Sequence, residues 1–490
     1  MLHPPAVILP ISDQGLYCNA FLANCFLSLE SDCKNTKKIP SGKIYFAMCG
    51  KVCIFAIEKN AYFDKKIEQP TMINRDYLLN KLLLRRHNNM IKVITGMRRC
   101  GKSYLLFNLF SNALVSEGVK EDHIIRINLE DRRRKSLRDP DGLLHYIDSQ
   151  MVDNEMYYIL LDEVQYVKEF EDVLNSYLHI PNADVYVTGS NARFLSKDVI
   201  TEFRGRGDEV HIHPLSFAEF LGAPHKNDLP REDQLLEYIT YGGLPQVALM
   251  KTEQEKRSFL RSLFTHTYLK DIKERHGIRL DADLEELVNI LASSIGGLTN
   301  PRKLANTFKS VKGSEITQDT IKNYLEHLQD AFLVEKSLRY DIKGKRYIDT
   351  PAKYYFEDLG LRNARLNFRQ MEETHLMENL IYNELRRSGM DVDVGEVTVV
   401  VPKPEGGSER RHLEVDFVCN QGFRRCYIQS AYRIDDEAKR EQELRSLQKI
   451  NDSFRKVVIV WGATPRHQND DGILFISLYD FLTNPDSLME

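Results

Sequence analysis

Residues 91–103 read IKVITGMRRCGKS, and this stretch decides the fold. The apolar run Ile91 to Thr95 predicts a buried strand, and Ser103 to Ser116 have the spacing of a helix. Between them lies a segment that fits the pattern GxxxxGK[ST]. In the order strand, glycine-rich loop and helix, this pattern binds phosphate, because loop N–H groups and the helix N-terminus face the phosphate oxygens. The alternative is an ordinary strand-turn-helix that happens to contain these residues.

The loop residues are the candidate nucleotide ligands: Gly96, Met97, Arg98, Arg99, Cys100, Gly101, Lys102 and Ser103. The two glycines allow the loop to fold back tightly, so that its N–H groups can face phosphate. We expect the Lys102 ammonium to bridge the β- and γ-phosphates, which also makes it a catalytic candidate, and the Ser103 hydroxyl to bind Mg²⁺.

A second ligand for Mg²⁺ is expected at the end of a neighbouring strand. The run YYILLDE, Tyr157 to Glu163, predicts a buried strand that ends in two carboxylates. Asp162 is the candidate metal ligand. Glu163, one residue beyond the strand end, is the catalytic candidate that polarises an attacking water, which predicts hydrolysis and not binding alone. An exposed acidic turn after a strand is the alternative.

Two further catalytic candidates follow along the chain. Asn191, with Ser190 behind it, comes after the predicted strand Asp184 to Thr188 and could hold the same water or sense the γ-phosphate. Arg206 lies in a loop, where its guanidinium could stabilise transition-state charge in a neighbouring site. A surface ion pair is the alternative for this arginine.

Two histidines on the next predicted strand, Glu209 to His213, could suggest a metal site. His211 and His213 alternate along this strand, but the sequence offers no third ligand beside them. We therefore interpret them as packing or solvent-facing residues.

The fold class predicted from these patterns is α/β. Strands alternate with helices up to about Pro224, which predicts a parallel sheet covered by helices. Helical spacing dominates afterwards and predicts a helical lid; three helices and a basic-tipped hairpin then predict a winged helix, and a smaller α/β domain ends the chain. The expected segments are 1–71, an extension of unknown role; 72–224, the nucleotide core; 225–280, the lid; 281–360, the winged helix; and 361–490, the C-terminal domain.

Six motifs, in this order, carry a family resemblance: GMRRCGKS (96–103), LLDEVQ (160–165), TGSN (188–191), PLSF (214–217), YGGLP (241–245) and KYYFEDLGLRNA (353–364). From about Met72 to the C-terminus the chain resembles a prokaryotic AAA-type P-loop ATPase family. The resemblance implies an additional strand and a catalytic glutamate in the core, ATP and Mg²⁺ as ligands, a winged helix, and a C-terminal domain distantly like restriction endonucleases. It implies no particular substrate. Members of this broad class often act as rings in which a neighbouring subunit supplies arginine, and the sequence leaves a homo-oligomer open.

Composition limits the possible functions. With 490 residues, of which 42% are hydrophobic, we expect several separately cored units. The net charge of −4 excludes a strongly basic nucleic-acid coat. The apolar stretch Ile44 to Ile57, interrupted by Lys51, is shorter than the roughly 20 residues of a spanning helix, so we expect a cytoplasmic protein with no membrane contact. We also consider Met72 as an alternative start of the native protein.

The C-terminal domain retains only part of a nuclease pattern. Such nucleases hold metal with acids from a helix and two strands, followed by a lysine. Glu384 on a helix, and Glu414 and Asp416 on a strand, fit the first requirements. Gln429 and Ala431 stand where the second strand acid and the lysine are needed. We therefore expect a binding domain on an inactive nuclease scaffold.

These observations predict a Mg²⁺-dependent ATPase that couples nucleotide state to its winged-helix and C-terminal domains. DNA or RNA is a candidate partner, since Arg339, Lys343, Lys345 and Arg346 cluster on the predicted hairpin. The alternative function is a nucleotide-gated regulatory switch with little turnover that binds a protein partner.

The altered nuclease pattern predicts that the protein does not cleave DNA or RNA with Mg²⁺ or Mn²⁺. The reason is the loss of one negative charge and of the cation that activates the water. Incubation with end-labelled single-stranded and duplex substrates measures this. Reproducible cleavage that disappears in Asp416→Ala would contradict the prediction.

Overall fold

The computed structural model describes residues 73–189, 205–278, 281–403, 407–434 and 436–488, and three strands within the first 72 residues. The chain divides into two units, Met1–Met72 and Ile73–Glu490. The first unit contains a three-stranded antiparallel sheet of β1 (Thr36–Lys38), β2 (Ile44–Cys49) and β3 (Val52–Ile57).

The first part of the second unit is built on a five-stranded parallel sheet in the order β5-β6-β7-β4-β8. Its strands are β4 (Ile91–Thr95), β5 (Ile124–Asn128), β6 (Tyr157–Asp162), β7 (Ala183–Thr188) and β8 (Gly207–His211). Every residue of β4 and β6 is buried, as expected for strands covered on both faces. The predicted α/β class and parallel sheet are confirmed. One additional strand, β7, separates the loop-bearing β4 from the acid-bearing β6.

Helices flank this sheet and continue beyond it. A continuous helix follows the glycine-rich loop as Lys102–Tyr104, a π-helical stretch Leu105–Phe110, and Ser111–Ser116. Further α-helices among the described residues before position 249 are Asp76–Leu83, Pro140–Gln150, Phe170–Tyr177, Phe217–Leu221, Arg231–Tyr241 and Pro245–Ala248. A long helical run then comprises Glu253–Leu263, Phe264–Leu269 and Lys270–His276. The predicted helical character of residues 225–280 therefore agrees with the described residues.

The next segment has the predicted order of three helices and a hairpin. The helices are Asp281–Ser293, Pro301–Thr307 with its extension Phe308–Lys312, and Gln318–Asp330. Asn300 caps the second helix, because its side chain accepts hydrogen bonds from the N–H groups of Arg302 and Lys303. The hairpin consists of β9 (Val334–Asp341) and β10 (Arg346–Phe356). It is not a free wing, because β9 also pairs in parallel with β11 (Asp391–Pro402) of the C-terminal sheet.

The C-terminal sheet has eight strands in the order β10-β9-β11-β12-β13-β14-β16-β15 and therefore crosses the boundary expected at residue 360. Its remaining strands are β11 (Asp391–Pro402), β12 (Ser408–Gln421), β13 (Arg424–Ala431), β14 (Arg455–Val460), β15 (His467–Gln468) and β16 (Leu474–Ser477). The accompanying helices are Leu359–Arg365, Glu373–Arg387, Glu437–Gln448 and Leu478–Thr483.

The apolar core is continuous across the second unit. One buried cluster runs from Ile73 to Leu488 and includes residues from both sheets and from the helices between them. Two smaller clusters cover the opposite faces of the five-stranded and eight-stranded sheets. The expectation of separately cored segments was therefore wrong for residues 73–488. Within the same residues, no helix is both long enough and apolar enough to cross a membrane.

Two of the family motifs, YGGLP (241–245) and KYYFEDLGLRNA (353–364), contact each other. We call this the glycine contact; it is formed by Gly242, Gly243, Asp358 and Gly360. The Asp358 carboxylate accepts hydrogen bonds from the Gly243 N–H at 2.8 Å and the Leu361 N–H at 2.9 Å. A Cβ at Gly360 would lie 2.0 Å from the Tyr241 carbonyl oxygen, and one at Gly242 would lie 2.4 Å from the Asp358 carboxylate. Glycine is therefore required sterically at both positions.

Replacing Asp358 with alanine should destabilise the protein by about 2–3 kcal/mol, because two buried N–H groups lose their acceptor. The matched control is Asp436→Ala, which removes an exposed aspartate that caps the helix Glu437–Gln448. That change should cost about 1 kcal/mol or less. Denaturant unfolding of both variants measures the difference, and equal losses would contradict a structural role for the glycine contact.

Candidate active site

The glycine-rich loop has the backbone conformation that its sequence predicts. Gly96 has φ +138° and Gly101 has φ +101°, both in a region that side chains disfavour. A Cβ at Gly96 would lie 2.1 Å from the carbonyl oxygen of Ile212, so this glycine also lets the segment after β8 pack directly on the loop. Arg99 has a positive φ of 69° and is exposed.

Lys102 is directed into the loop. Its side chain is buried, and its ammonium donates hydrogen bonds to the carbonyls of Gly96 at 2.9 Å and Met97 at 3.0 Å. An ammonium has three N–H donors, and two of them hold this one at the centre of the loop. Met97 and Cys100 are themselves fully buried. Cys100 packs in the apolar core, and burial raises the pKa of its thiol, which keeps it protonated.

Arg75, which sequence reasoning missed, hydrogen-bonds to the loop from the side of β8. Its buried guanidinium donates to the Cys100 carbonyl and to the His213 carbonyl, both at 2.9 Å. It also pairs with the Glu219 carboxylate at 3.1 Å. Arg75 thus ties the loop to the segment after β8 through fully hydrogen-bonded charge, which is the condition for burying an arginine. No motif contains it, so the sequence carried no signal for this role.

The helical run after residue 253 contacts the loop from the other side. The buried Tyr268 hydroxyl donates to the Arg98 carbonyl at 2.7 Å. The Arg98 guanidinium lies 3.7 Å from the Asp271 carboxylate and 3.9 Å from that of Glu130. Both the backbone and the side chain of Arg98 therefore link the loop to its surroundings.

The two predicted Mg²⁺ ligands are in contact. The Ser103 hydroxyl donates to Asp162 Oδ1 at 3.0 Å, and the Thr188 hydroxyl donates to the same oxygen at 2.5 Å. Asp162 is only 2% exposed, and burial raises its pKa. A hydroxyl and a carboxylate are hard oxygen donors that suit Mg²⁺, and a bound cation would offset the cost of burying the charge. The residues present therefore fit this ion.

Glu163 occupies an unusual backbone position at the end of β6. Its φ is +54°, a conformation that is uncommon outside glycine and that turns the chain sharply after Asp162. Its N–H donates to the Thr188 hydroxyl at 3.0 Å, and its carboxylate accepts a hydrogen bond from the Gln165 amide. Thr188 therefore contacts both acidic residues at once. Sequence reasoning placed Thr188 and Gln165 in motifs but gave them no role.

The remaining catalytic candidates are not part of this cluster. Asn191 and Ser190 lie outside the described residues. Arg206 is exposed and precedes β8, where its carbonyl accepts from the Ile91 N–H at 2.9 Å. Ile91 begins β4 and Gly96 follows its end, so roughly 16 Å of strand separates Arg206 from the loop of its own chain.

Comparisons with known proteins agree with this geometry. Residues 88–221 match the family model described as "AAA domain", and residues 232–372 match a domain of unknown function (DUF8612). An uncharacterised protein of Haemophilus influenzae is 34% identical over 414 residues, which cover 84% of this chain and 98% of that protein. The chain belongs to the AAA-type P-loop ATPase family.

Two further comparisons extend the similarity to archaeal proteins. The uncharacterised protein MJ1544 of Methanocaldococcus jannaschii is 30% identical over 409 residues, which cover 80% of this chain and 86% of that protein. The solved structure of a Walker-type ATPase from Pyrococcus abyssi is similar to 60% of this chain and 96% of its own, with 16% identity and a TM-score of 0.44.

The C-terminal acids are arranged differently from the expectation. Glu384 is buried and lies 3.1 Å from Arg387; burial raises its pKa, and the nearby Arg387 guanidinium lowers it. The helix carboxylate that belongs with Asp416 is instead Glu378, whose charge raises the pKa of the buried Asp416 further. Choosing Glu384 was wrong, because helical spacing alone does not show which acid faces the strand.

An internal lysine occupies this acidic cluster. The Lys353 ammonium lies 2.8 Å from Glu378 and 2.7 Å from Glu414 and is almost fully buried. The Gln429 amide turns away from the cluster toward Glu443, at 3.3 Å. The Lys353 ammonium therefore balances part of the negative charge of these carboxylates. The absence of metal-dependent cleavage stays a prediction.

Thr188→Val should lower any Mg²⁺-dependent nucleotide hydrolysis by about 10–100-fold, because Asp162 and Glu163 both lose the hydroxyl that orients them. Thr188→Ser keeps the hydroxyl and should restore most of the activity. Steady-state hydrolysis and Mg²⁺ titration of both variants provide the measurement. Equal activity in the wild type and Thr188→Val would contradict the orienting role.

Proposed function

We propose that this protein binds ATP with Mg²⁺, hydrolyses it, and uses nucleotide state to move its helical and C-terminal segments. The observation that carries the proposal is the convergence of Ser103, Asp162, Thr188 and Glu163 at one edge of the parallel sheet. This is the edge from which the glycine-rich loop leaves β4, and ligands of open α/β sheets bind there.

Each residue of this cluster has a distinct proposed role. Lys102 holds the phosphates, while Ser103 and Asp162 hold the cation. Mg²⁺ bound between them would neutralise charge that develops on the β- and γ-phosphates. Glu163, kept at the strand end by Thr188, orients and polarises the attacking water. Gln165 then positions the Glu163 carboxylate through its amide.

Coupling to the rest of the chain is supported by two contacts. Tyr268 links the loop to the helical run, because its hydroxyl donates a hydrogen bond to the Arg98 carbonyl. The glycine contact then joins the segment 241–245 to the helix Leu359–Arg365, which begins the C-terminal part of the molecule. A change in loop conformation on binding or hydrolysis would therefore reach the downstream segments through hydrogen bonds and packing.

We place Arg206 in trans. Arg206 precedes the first residue of β8, whereas the loop of its own chain follows the last residue of the adjacent, parallel β4, so the two lie at opposite ends of these strands. We therefore infer that Arg206 acts on the nucleotide of a neighbouring subunit in a homo-oligomer.

The downstream partner distinguishes two candidate functions. In the leading one, the hairpin β9–β10 contacts DNA or RNA phosphates. The second candidate, a regulatory switch that binds a protein, is favoured by the pairing of the hairpin's basic residues. Arg339 pairs with Glu396, Arg346 lies 3.5 Å from Asp341, and Lys343 donates to the Thr398 carbonyl at 3.1 Å. These contacts reduce the positive charge available to phosphate.

Steady-state ATP hydrolysis tests the proposal, with the wild type, Lys102→Ala and Glu163→Gln compared. Lys102→Ala should lose nucleotide binding. Glu163→Gln should keep binding and lose at least about 100-fold in turnover, because the amide cannot accept the water proton. The matched control is Glu169→Gln, an exposed glutamate that also has a positive φ, of 50°. It should hydrolyse ATP like the wild type.

The same assay with DNA and with RNA separates the two functions. Stimulation by polynucleotide that falls as salt rises supports action on nucleic acid. Nucleotide binding with negligible and unstimulated turnover would favour the switch. Full activity in Glu163→Gln would overturn the catalytic assignment.

A further inference from the structure

Three metal-binding side chains from distant parts of the sequence meet beside the glycine-rich loop. His211 Nε2 lies 2.9 Å from Glu357 Oε1, and His213 Nδ1 lies 3.0 Å from the same oxygen. His211 ends β8, and His213 follows two residues later on the same side of the chain. The interpretation of the two histidines as packing residues rested on a missing third ligand. Glu357, which comes 144 residues after His213, supplies it.

The geometry of the three groups is convergent. The centroids of the two imidazole rings are 4.4 Å apart, at an interplanar angle of 75°. In this arrangement, an in-plane nitrogen of each ring can point toward the same cation. One potential ligand atom from each residue lies within 4.8 Å of the others. The side chains of His211 and His213 are 26% and 16% exposed, so a cation can reach them from solvent.

A second layer of hydrogen bonds orients His211. The Thr95 hydroxyl donates to Glu209 at 2.9 Å, and its oxygen lies 2.8 Å from His211 Nδ1. Because that oxygen already donates its proton, it accepts the Nδ1–H of His211, which directs Nε2 at Glu357. A hydrogen bond of this kind to the second ring nitrogen is what fixes a metal-ligating histidine.

We propose that His211, His213 and Glu357 bind one divalent cation of the Zn²⁺ class. Two imidazoles and one carboxylate form the ligand set of open zinc sites, in which a fourth position stays accessible to water. The nitrogen donors select a transition metal over Mg²⁺ or Ca²⁺, which prefer oxygen. This cation is therefore distinct from the Mg²⁺ held by Ser103 and Asp162.

Two other groups of possible ligands, among the residues that the structure describes, fit a cation less well. His276 and His327 lie near Asp330, but their rings stack at 3.5 Å with an interplanar angle of 15°. Ring nitrogens donate in the plane of the ring, so parallel stacked rings do not aim at one point. The third group contains one histidine, His123, with two exposed acids, Asp153 and Glu155.

The position of this site gives it a structural consequence. Thr95, which orients His211, immediately precedes Gly96 of the loop, and Ile212 packs on Gly96. Glu357 immediately precedes Asp358 of the glycine contact. A cation bound there would join β8, which pairs with the loop-bearing β4, to the segment that begins the helix Leu359–Arg365, and should therefore stabilise the fold as well as bind.

Cobalt binding to the full-length protein tests the site without relying on ATP hydrolysis. Chelator-treated protein is titrated with Co²⁺ in excess Mg²⁺, and bound Co²⁺ is followed by its visible absorption and displaced with Zn²⁺. We expect one ion per chain at this site and a rise in Tm with Zn²⁺. Glu357→Gln and His213→Gln retain side chains that can hydrogen bond, and each should weaken binding at least about tenfold.

Three control variants should bind as the wild type does. His225→Ala removes an exposed histidine, His327→Ala removes one of the stacked pair, and Asp162→Asn removes the Mg²⁺ ligand. X-ray absorption of the wild-type Co²⁺ complex should show two imidazole ligands and no sulfur ligand. Because it uses only the wild type, this measurement tests the site even if the variants do not fold. Absence of binding, a sulfur ligand, undiminished binding in well-folded His213→Gln, or loss of binding in well-folded His327→Ala or Asp162→Asn would each overturn the proposal.

Discussion

The structure of the nucleotide core depends on one buried carboxylate. Asp162 sits at the end of β6 with hydroxyls from Ser103 and Thr188 on the same oxygen. These three residues come from the helix after the loop and from two adjacent strands, so the contact is possible only with β7 between β6 and β4. Because hydroxyls lower the cost of burying the charge but do not cancel it, the site favours a cation.

In the C-terminal sheet, by contrast, buried negative charge is balanced by a side chain of the protein itself. Its carboxylates at Glu378 and Glu414 already have a partner in the Lys353 ammonium. Removing one partner of such an ion pair would leave an uncompensated charge, so the lysine and the carboxylates stabilise one another. The Asp162 site thus favours an added cation, whereas the C-terminal acidic cluster contains a lysine of its own.

The loop itself is held between two parts of the molecule. Arg75 binds the Cys100 carbonyl from the side of β8, and Tyr268 binds the Arg98 carbonyl from the helical run. The continuous apolar core and the glycine contact extend this linkage to the C-terminal sheet. Because packed cores deform little before they rearrange, a change at the loop is transmitted rather than absorbed.

The sequence by itself determined the elements and the local chemistry. Apolar runs and helical spacing predicted the core strands β4, β6, β7 and β8, the helix after the loop and the hairpin, because these depend on residues close in the chain. The same holds for the loop and for the acid pair at the end of β6. Tertiary structure alone decided which distant groups meet: Glu357 with two histidines, Glu378 in place of Glu384 beside Asp416, Arg75 under the loop, and β9 with β11. The physical reason is that such contacts are set by how strands and helices pack. Periodicity along the chain carries no information about which groups become packing partners, whether they are 25 residues apart, as Arg75 and Cys100 are, or 146, as His211 and Glu357 are.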